Sequence, residues 1–167
     1  ISVYGEKANQ TTYPEDFNNN PFSSYAFTKL ESEKYLQKHF PNQSWILRFA
    51  PVYSPNFLLN IERRTKSSGL FYKVGGGANR LSLCNLENIC STVKGILEDK
   101  VPAGVYNISD RIDYSYNDLL NWSNANWVVH IPSFFIKLMF LFGKVTNNIF
   151  LKENSIKLLT DNIYPSV

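Results

Sequence analysis

Tyr25 and Lys29 are the side chains of this sequence whose types and spacing could do acid–base chemistry. Residues four apart lie on the same face of a helix. An ammonium group beside a phenol stabilises the phenolate, which lowers a pKa that is ordinarily about 10. A tyrosine placed in this way can take or give the proton of a carbinol near neutral pH. The spacing alone is weak evidence, so the elements around the pair decide its value.

Strands and helices are predicted to alternate around this pair. The apolar run at residues 1–5 predicts the end of a buried strand, and the polar stretch 6–22 predicts a loop. Ser23 or Ser24 can cap a helix from Tyr25 to His39. Further elements follow in order: a strand at 44–49, a helix beginning near 57, strands at 70–74 and 81–84, a helix at 85–99, a strand at 104–108 and a helix from 116. This alternation is typical of an α/β fold with parallel strands.

The run Gly75-Gly76-Gly77 is the obvious candidate for a phosphate-binding turn. Glycine loops that hold a pyrophosphate lead from a strand into the N-terminus of a helix. This run lies between two predicted strands instead, so we predict a hairpin turn.

Five short motifs stand in a characteristic order along the chain. They are Val3-Tyr4-Gly5, Tyr25-Ala26-Phe27-Thr28-Lys29, the stretch from Arg48 to Tyr53 that ends in Val-Tyr, the glycine-rich turn and helix start at 75–88, and Tyr106-Asn107-Ile108. In this order the motifs resemble the extended short-chain dehydrogenase/reductase family, specifically its NAD-dependent nucleotide-sugar epimerases and dehydratases. The resemblance covers nearly the whole chain.

The resemblance implies an α/β fold that consists of the C-terminal part of a Rossmann-like parallel sheet and a small α+β substrate-binding domain. Residues 1–56 would form the C-terminal part of the NAD-binding domain, including the catalytic helix. Residues 57–167 would mainly form the domain that binds the nucleotide sugar, with residues 81–110 returning to the sheet.

The resemblance also implies a cofactor, NAD, with NADP left open. Tyr25 would exchange the proton of the sugar hydroxyl while the nicotinamide exchanges a hydride. Lys29 would hold the nicotinamide ribose and stabilise the phenolate of Tyr25. Pro51 and Val52 lie where a parallel strand ends, at the edge where α/β sheets bind ligands, so they would wall the nicotinamide site.

The substrate implied by the resemblance is a nucleotide sugar, as in polysaccharide biosynthesis. Asn60 and Arg80 match family positions near the nucleotide diphosphate, and an arginine suits phosphate because it can donate two hydrogen bonds at once. In the family's dehydratases, acidic residues occupy the positions that Ile1 and Ser2 take here, and neither side chain can act as a general acid. The resemblance therefore favours an epimerase or a keto-sugar reductase over a dehydratase.

Two family features have no counterpart in this sequence. The glycine-rich turn after the first strand is missing, and the catalytic Ser or Thr would stand just before Ile1, since Ser2 comes two places too late. We therefore expect this chain to be the C-terminal portion of a longer enzyme and inactive alone. A sheet without its first half would leave apolar surface exposed, so we expect a homo-oligomer.

Composition excludes several other classes of protein. Seventeen Lys and Arg against fourteen Asp and Glu leave a net charge of +3, which provides no strong field for nucleic acid. Two cysteines are too few for a disulfide scaffold, and Cys84 and Cys90 do not have a metal-ligand spacing. We therefore expect a reduced, cytoplasmic protein without a metal site.

Two alternatives remain from the sequence. The chain could be a non-catalytic binding or assembly module that keeps the same scaffold. The apolar stretch 131–151 is interrupted by Lys137 and Lys144, and no run in it reaches the ~18 residues of a membrane-spanning helix. We predict a core or interface helix there, with a membrane-surface helix of a glycan-assembly factor as the alternative.

Overall fold

A computed structural model describes residues 2–5 and 10–166, in which six α-helices and nine short strands occur. In chain order these are α1 (Ser24–His39), β1 (Trp45–Phe49), β2 (Val52–Tyr53), α2 (Leu59–Thr65), β3 (Lys66–Ser67), β4 (Leu70–Val74), β5 (Arg80–Ser82), β6 (Cys84–Asn85), α3 (Leu86–Leu97), β7 (Gly104–Ile108), β8 (Asp113–Ser115), α4 (Tyr116–Trp122), β9 (Val128–Ile131), α5 (Ser133–Val145) and α6 (Ile149–Leu159).

Parallel strand pairs form the part of the fold that carries α1. β1 pairs in parallel with β7, from Trp45 opposite Gly104 to Phe49 opposite Ile108. β2 pairs in parallel with β6, and α3 supplies the connection between β6 and β7. The predicted mixed α/β class with parallel strands is therefore confirmed.

The helix ends follow the capping signals in the sequence. Ser23 caps α1, and its hydroxyl accepts a hydrogen bond from the Ala26 backbone N–H. Ser115 and Asp118 form a reciprocal capping box at the start of α4. These local signals place both helices within a residue of the predicted starts.

The predicted hairpin at the glycine run is wrong. Residues 75–77 do form a turn, with the Gly77 N–H donating to the Val74 carbonyl, and Gly75 and Gly77 have positive φ. However, β4 pairs with β3 and, in parallel, with β9, whereas β5 pairs with β8. The glycines specify the turn after β4. They do not specify its parallel partner, β9, which comes from a distant part of the chain.

The predicted strand at the start of the chain is also wrong. Ser2–Tyr4 form a single 3-10 turn, although Val3 and Tyr4 are buried as the apolar run predicted. Gly5 follows with φ +61°, where a Cβ would lie 1.8 Å from the Asn20 carbonyl oxygen. A short apolar run predicts burial, but it fits one helical turn as well as a strand. Ile1 lies outside the described residues.

Residues near the end of the described chain complete an aromatic core that includes residues near its start. The Tyr13 N–H donates to the Ile163 carbonyl, and the Ile163 N–H donates to the Thr11 carbonyl. The ring of Tyr164 stacks on Tyr13 at 5.5 Å and on Tyr4 at 6.0 Å between centroids. All three rings are buried, so both ends of the described chain contribute to one core.

The free energy of unfolding should fall at alkaline pH because the Cys84 thiol and the Tyr116 phenol are buried in their neutral forms. Burial raises the pKa of Cys84 from 9.0 to about 12 and that of Tyr116 from 10.0 to about 12. The stabilisation from these two groups is complete below their pKa values in the unfolded chain, and it is lost as pH rises from about 9 towards 12. The urea midpoint should therefore drop between about pH 9 and pH 11, and Cys90→Ala, at the exposed thiol, should show the same drop. A midpoint that stays constant over this range would contradict the burial of these groups.

Candidate active site and open cavity

Tyr25 and Lys29 lie together on the outer face of α1. The Lys29 ammonium is 5.8 Å from the centre of the Tyr25 ring. Tyr25 is 66% exposed and Lys29 is also exposed, so both groups are open to a ligand. The predicted pair therefore has the shared face that its chemistry requires.

The inner face of α1 fixes the direction of this pair. Ala26 and Leu30 are buried on that face. One turn further on, Glu33 receives hydrogen bonds from the Arg48 guanidinium, with Nη2 to Oε2 at 2.7 Å. Arg48 belongs to β1, so the ion pair attaches α1 to the parallel strands.

Arg48 is the centre of a buried hydrogen-bond network. Its Nη1 donates to the Tyr4 hydroxyl at 2.9 Å and to the Glu15 carbonyl at 3.0 Å. Tyr4 in turn donates to Asn107 Oδ1 at 2.7 Å. Burial raises the pKa of Tyr4, whereas its hydrogen bond with Arg48 lowers it, and the net direction is upward. For Arg48, burial lowers the pKa, but the hydrogen bonds and charge interactions with Glu33 and Tyr4 together raise it more, so the net direction is upward.

This network unites three of the motifs found in the sequence. Tyr4 comes from Val-Tyr-Gly, Arg48 from the stretch that ends in Val-Tyr, and Asn107 from Tyr-Asn-Ile. No role could be assigned to these residues from the sequence. Their side chains hold β1, β7 and the segment at Glu15 together, which is a structural function that only the fold reveals.

Hydrogen bonds hold the segment that joins β1 to β2. The Cys84 N–H donates to the Pro51 carbonyl, and the Ala50 N–H donates to the Ile108 carbonyl. The Asn60 side-chain amide donates to the Val52 carbonyl at 2.8 Å, which attaches α2 to β2. Asn60 therefore has a structural contact in addition to its predicted role.

An open cavity of about 620 Å³ lies between α2, α6 and the strand ends. Its charged lining residues are all cationic, and its aromatic lining residues are three tyrosines and one phenylalanine. The lining residues are Pro51, Asn60, Arg63, Arg64, Tyr72, Leu81, Ser82, Tyr116, Phe150, Asn154, Lys157, Leu158, Asn162 and Tyr164. Cations beside aromatic rings suit a ligand that has both negative charge and a planar ring.

Two groups in the cavity wall have hydrogen-bonding capacity for a ligand. Arg64 uses Nη1 to donate to the Asn60 carbonyl at 2.8 Å, which leaves its other N–H groups available. Asn162 is buried, and its Oδ1 has no hydrogen-bond partner within residues 2–5 and 10–166. A buried acceptor without a donor is unusual, and a ligand N–H or O–H could supply the donor.

This chain is similar to known proteins in its structure. No protein-family model matches the sequence, and no curated protein matches it either. The chain is similar to UDP-glucuronic acid 4-epimerase from Bacillus cereus in complex with NAD, with 25% identity, a TM-score of 0.60, and coverage of 78% of this chain and 47% of that one. ADP-L-glycero-D-manno-heptose-6-epimerase from Helicobacter pylori gives 21% identity, a TM-score of 0.61, and coverage of 80% and 46%. dTDP-4-dehydrorhamnose reductase from Yersinia enterocolitica gives 16% identity, a TM-score of 0.58, and coverage of 79% and 49%.

The chain has the fold of the C-terminal part of the short-chain dehydrogenase/reductase enzymes. It spans about half the length of the solved structures it matches. Several of those structures are complexes with NAD. The resemblance inferred from the five motifs is thus confirmed at the level of fold.

Within this short-chain dehydrogenase fold, the predicted site residues fall into separate groups. Pro51 and Asn60 line the cavity, whereas Tyr25, Lys29 and Val52 are not among its lining residues. Arg80 is exposed, and its guanidinium lies 3.3 Å from Asp113 rather than in the cavity.

The cavity's cations were missed by the sequence analysis. Arg63 and Arg64 stand on the short helix α2, and Lys157 comes from α6 near the end of the chain. The adjacent arginines were visible in the sequence, but a pair of basic residues on a short helix is usually solvated. Only the tertiary fold brings Lys157 to the same cavity.

Within the described ranges 2–5 and 10–166, no helix is both long enough and apolar enough to cross a membrane. The same residues contain no group of three or more His, Cys, Asp and Glu side chains that could hold a metal ion.

Proposed function

We propose that this chain supplies the catalytic helix and the nucleotide-sugar site of an NAD(P)-dependent nucleotide-sugar epimerase or keto-sugar reductase. The observation that carries the proposal is the exposed Tyr25–Lys29 pair on one face of α1, in a fold shared with NAD-dependent sugar-nucleotide enzymes. The absence of an acidic residue at Ser2 favours these two activities over dehydration.

In the proposed reaction the phenolate oxygen of Tyr25 takes the proton from a sugar hydroxyl, and the resulting phenol later returns it. The Lys29 ammonium stabilises the phenolate and binds the nicotinamide ribose. Pro51 and Val52 form the wall beside the nicotinamide. NAD, when bound, supplies the hydride transfer.

The described residues fit the nicotinamide end of NAD and not its pyrophosphate. A Cβ built on Gly75 would lie 2.6 Å from Ser133 Oγ, and one on Gly77 would lie 2.5 Å from Asn117 Oδ1. The space at these glycines is therefore filled by the protein's own side chains, which leaves no cradle for a phosphate there. We propose that the pyrophosphate site belongs to a nucleotide-binding half that this chain does not contain.

The exposed faces of α1 and α3 support this division. Phe27 on α1 is 57% exposed and Leu97 on α3 is 79% exposed. No residue of α3 is buried, although its apolar side chains recur at helical spacing. We propose that a nucleotide-binding half, or a second copy in a homo-oligomer, covers these faces.

The cavity is the proposed site for the nucleoside diphosphate of the substrate. Arg63, Arg64 and Lys157 would neutralise the diphosphate, and Asn162 Oδ1 would accept a hydrogen bond from the base or ribose. Lys157 also pairs with Glu153 at 2.5 Å, which holds its ammonium at the cavity wall. Arg80 would reach the diphosphate only by leaving Asp113, so its predicted role stays a prediction.

Binding of nucleotides to the isolated chain tests this arrangement. The chain should bind at least one of UDP, dTDP and ADP, because all the residues proposed to contact the diphosphate belong to it, and it should not bind NAD, because the pyrophosphate site is proposed to lie elsewhere. Arg64→Gln should weaken diphosphate binding by about 10- to 100-fold, since a hydrogen bond to a charged group is lost. Isothermal titration calorimetry measures both.

The matched control is Arg111→Gln, which changes an exposed arginine that does not line the cavity. It should leave diphosphate binding unchanged. Binding of NAD to the isolated chain would show that the cofactor site is misplaced. A failure of all three diphosphates to bind would show that the cavity is not the nucleotide site.

A further inference from the structure

The outer face of α5 is apolar along its whole length. Six side chains that lie within an arc of about 120° around the helix are each at least 46% exposed. We call this set the outer arc; its members are Phe134, Phe135, Leu138, Leu141, Phe142 and Val145. Helices of globular proteins usually place their apolar stripe against the core. α5 places more apolar side chains outside than inside.

The inner face of α5 is already occupied by α6. Ile136 and Gly143 are buried on this side. A Cβ added at Gly143 would lie 3.0 Å from Leu151 Cβ, so the two helices approach closely at this point. The outer arc is therefore not an alternative packing face of α5 against its neighbour, and it stays available for another contact.

Positive charge borders the outer arc. Residues 119–152 contain no Asp or Glu and contain three lysines. Lys137 and Lys144 are seven residues apart, so they form a row along one side of the arc. Both are exposed, and neither forms an ion pair with any residue that the structure describes.

We propose that the outer arc docks on an anionic lipid surface, with α5 lying in the plane of the membrane interface. Apolar side chains flanked by lysines are the pattern of interfacial helices. The thirteen residues of α5 span about 20 Å, which suits a helix that lies on a bilayer and does not cross it. A second copy on this face would bring further lysines and no carboxylate from the same stretch, whereas anionic lipid headgroups neutralise Lys137 and Lys144.

Vesicle flotation tests the proposal, because aggregated protein does not float with lipid. The purified chain should float with vesicles of phosphatidylcholine and phosphatidylglycerol in equal parts, and much less with phosphatidylcholine alone. Leu138→Glu with Phe142→Glu should abolish flotation. Lys137→Gln with Lys144→Gln should weaken binding to the anionic vesicles by about 30-fold.

The matched control is Tyr35→Glu, which places the same charge on an exposed aromatic position of α1 and should leave flotation unchanged. Circular dichroism shows that each variant is folded. The proposal is overturned if the unmodified chain does not float with anionic vesicles, or if the variants of the outer arc float as well as the unmodified chain. It is also overturned if the glutamate variants convert an oligomer to a monomer without any lipid binding, because the arc then contacts a second copy.

Discussion

Replacing Tyr25 by phenylalanine should reduce turnover on the order of 10²- to 10⁴-fold in the proposed enzyme. The substitution removes only the hydroxyl, which is the group proposed to exchange the proton of the sugar. The ring stays on the exposed face of α1, and the ribose contact proposed for Lys29 is kept. Steady-state kinetics should therefore show a large fall in kcat with nearly unchanged affinity for NAD.

Tyr35→Phe is the matched control, because Tyr35 is a second exposed tyrosine of α1, with 58% of its surface accessible. It should leave turnover unchanged. Turnover of the Tyr25→Phe enzyme within threefold of the unmodified enzyme would exclude Tyr25 as the acid–base residue. If the assembled protein binds NAD and nucleotide sugar but shows no turnover before mutation, the non-catalytic module is the better interpretation.

Arg48→Ala should destabilise the fold by about 3–5 kcal/mol, the cost of leaving a buried charge without its partner. The side chains of Arg48 and Glu33 are only 5% and 12% exposed, so water replaces the lost contacts poorly. The change also removes donors from the Tyr4 hydroxyl and from the Glu15 carbonyl. A loss of this size is a large part of the stability of an ordinary domain. Urea unfolding monitored by circular dichroism measures it.

Lys34→Ala is the control. Lys34 pairs with Glu31 on the outside of α1, where the two side chains are 59% and 50% exposed, respectively. A surface pair contributes about 0–1 kcal/mol, so this variant should be nearly neutral. Tyr4→Phe should fall between the two variants, at about 1–3 kcal/mol, since it leaves the buried Asn107 oxygen without a donor. Equal effects of Arg48→Ala and Lys34→Ala would contradict the central position of Arg48.

The parts of the fold that could be predicted from the sequence are those governed by local signals. Ser23, as the capping residue, marks the start of α1, and the apolar run at 104–108 coincides with β7. Both signals act within a few residues, so no knowledge of distant partners is needed. The position of Tyr25 and Lys29 on one face follows from the same local geometry.

The parts that could not be predicted depend on distant residues. The parallel partner of β4 is β9, which follows more than 50 residues later in the chain. Nothing in the glycine turn between β4 and β5 specifies that partner. Likewise, the cavity takes cations from α2 and α6. The division of the chain at residues 56 and 57 and the roles assigned to Val52 and Arg80 stay predictions.

The contacts between the two ends of the described chain affect how this protein folds during its synthesis. Tyr4 and Tyr13 are synthesised well before Tyr164, the ring that covers them, which is added only after nearly all of the other described residues. Contacts over such a sequence separation close slowly, because the intervening chain must be ordered first. The rings of Tyr4 and Tyr13 therefore stay exposed until Tyr164 has been synthesised, and unfolded chains are prone to aggregate during this period. Chaperone binding to the nascent segment around Tyr4 and Tyr13 would protect the chain until Tyr164 can dock.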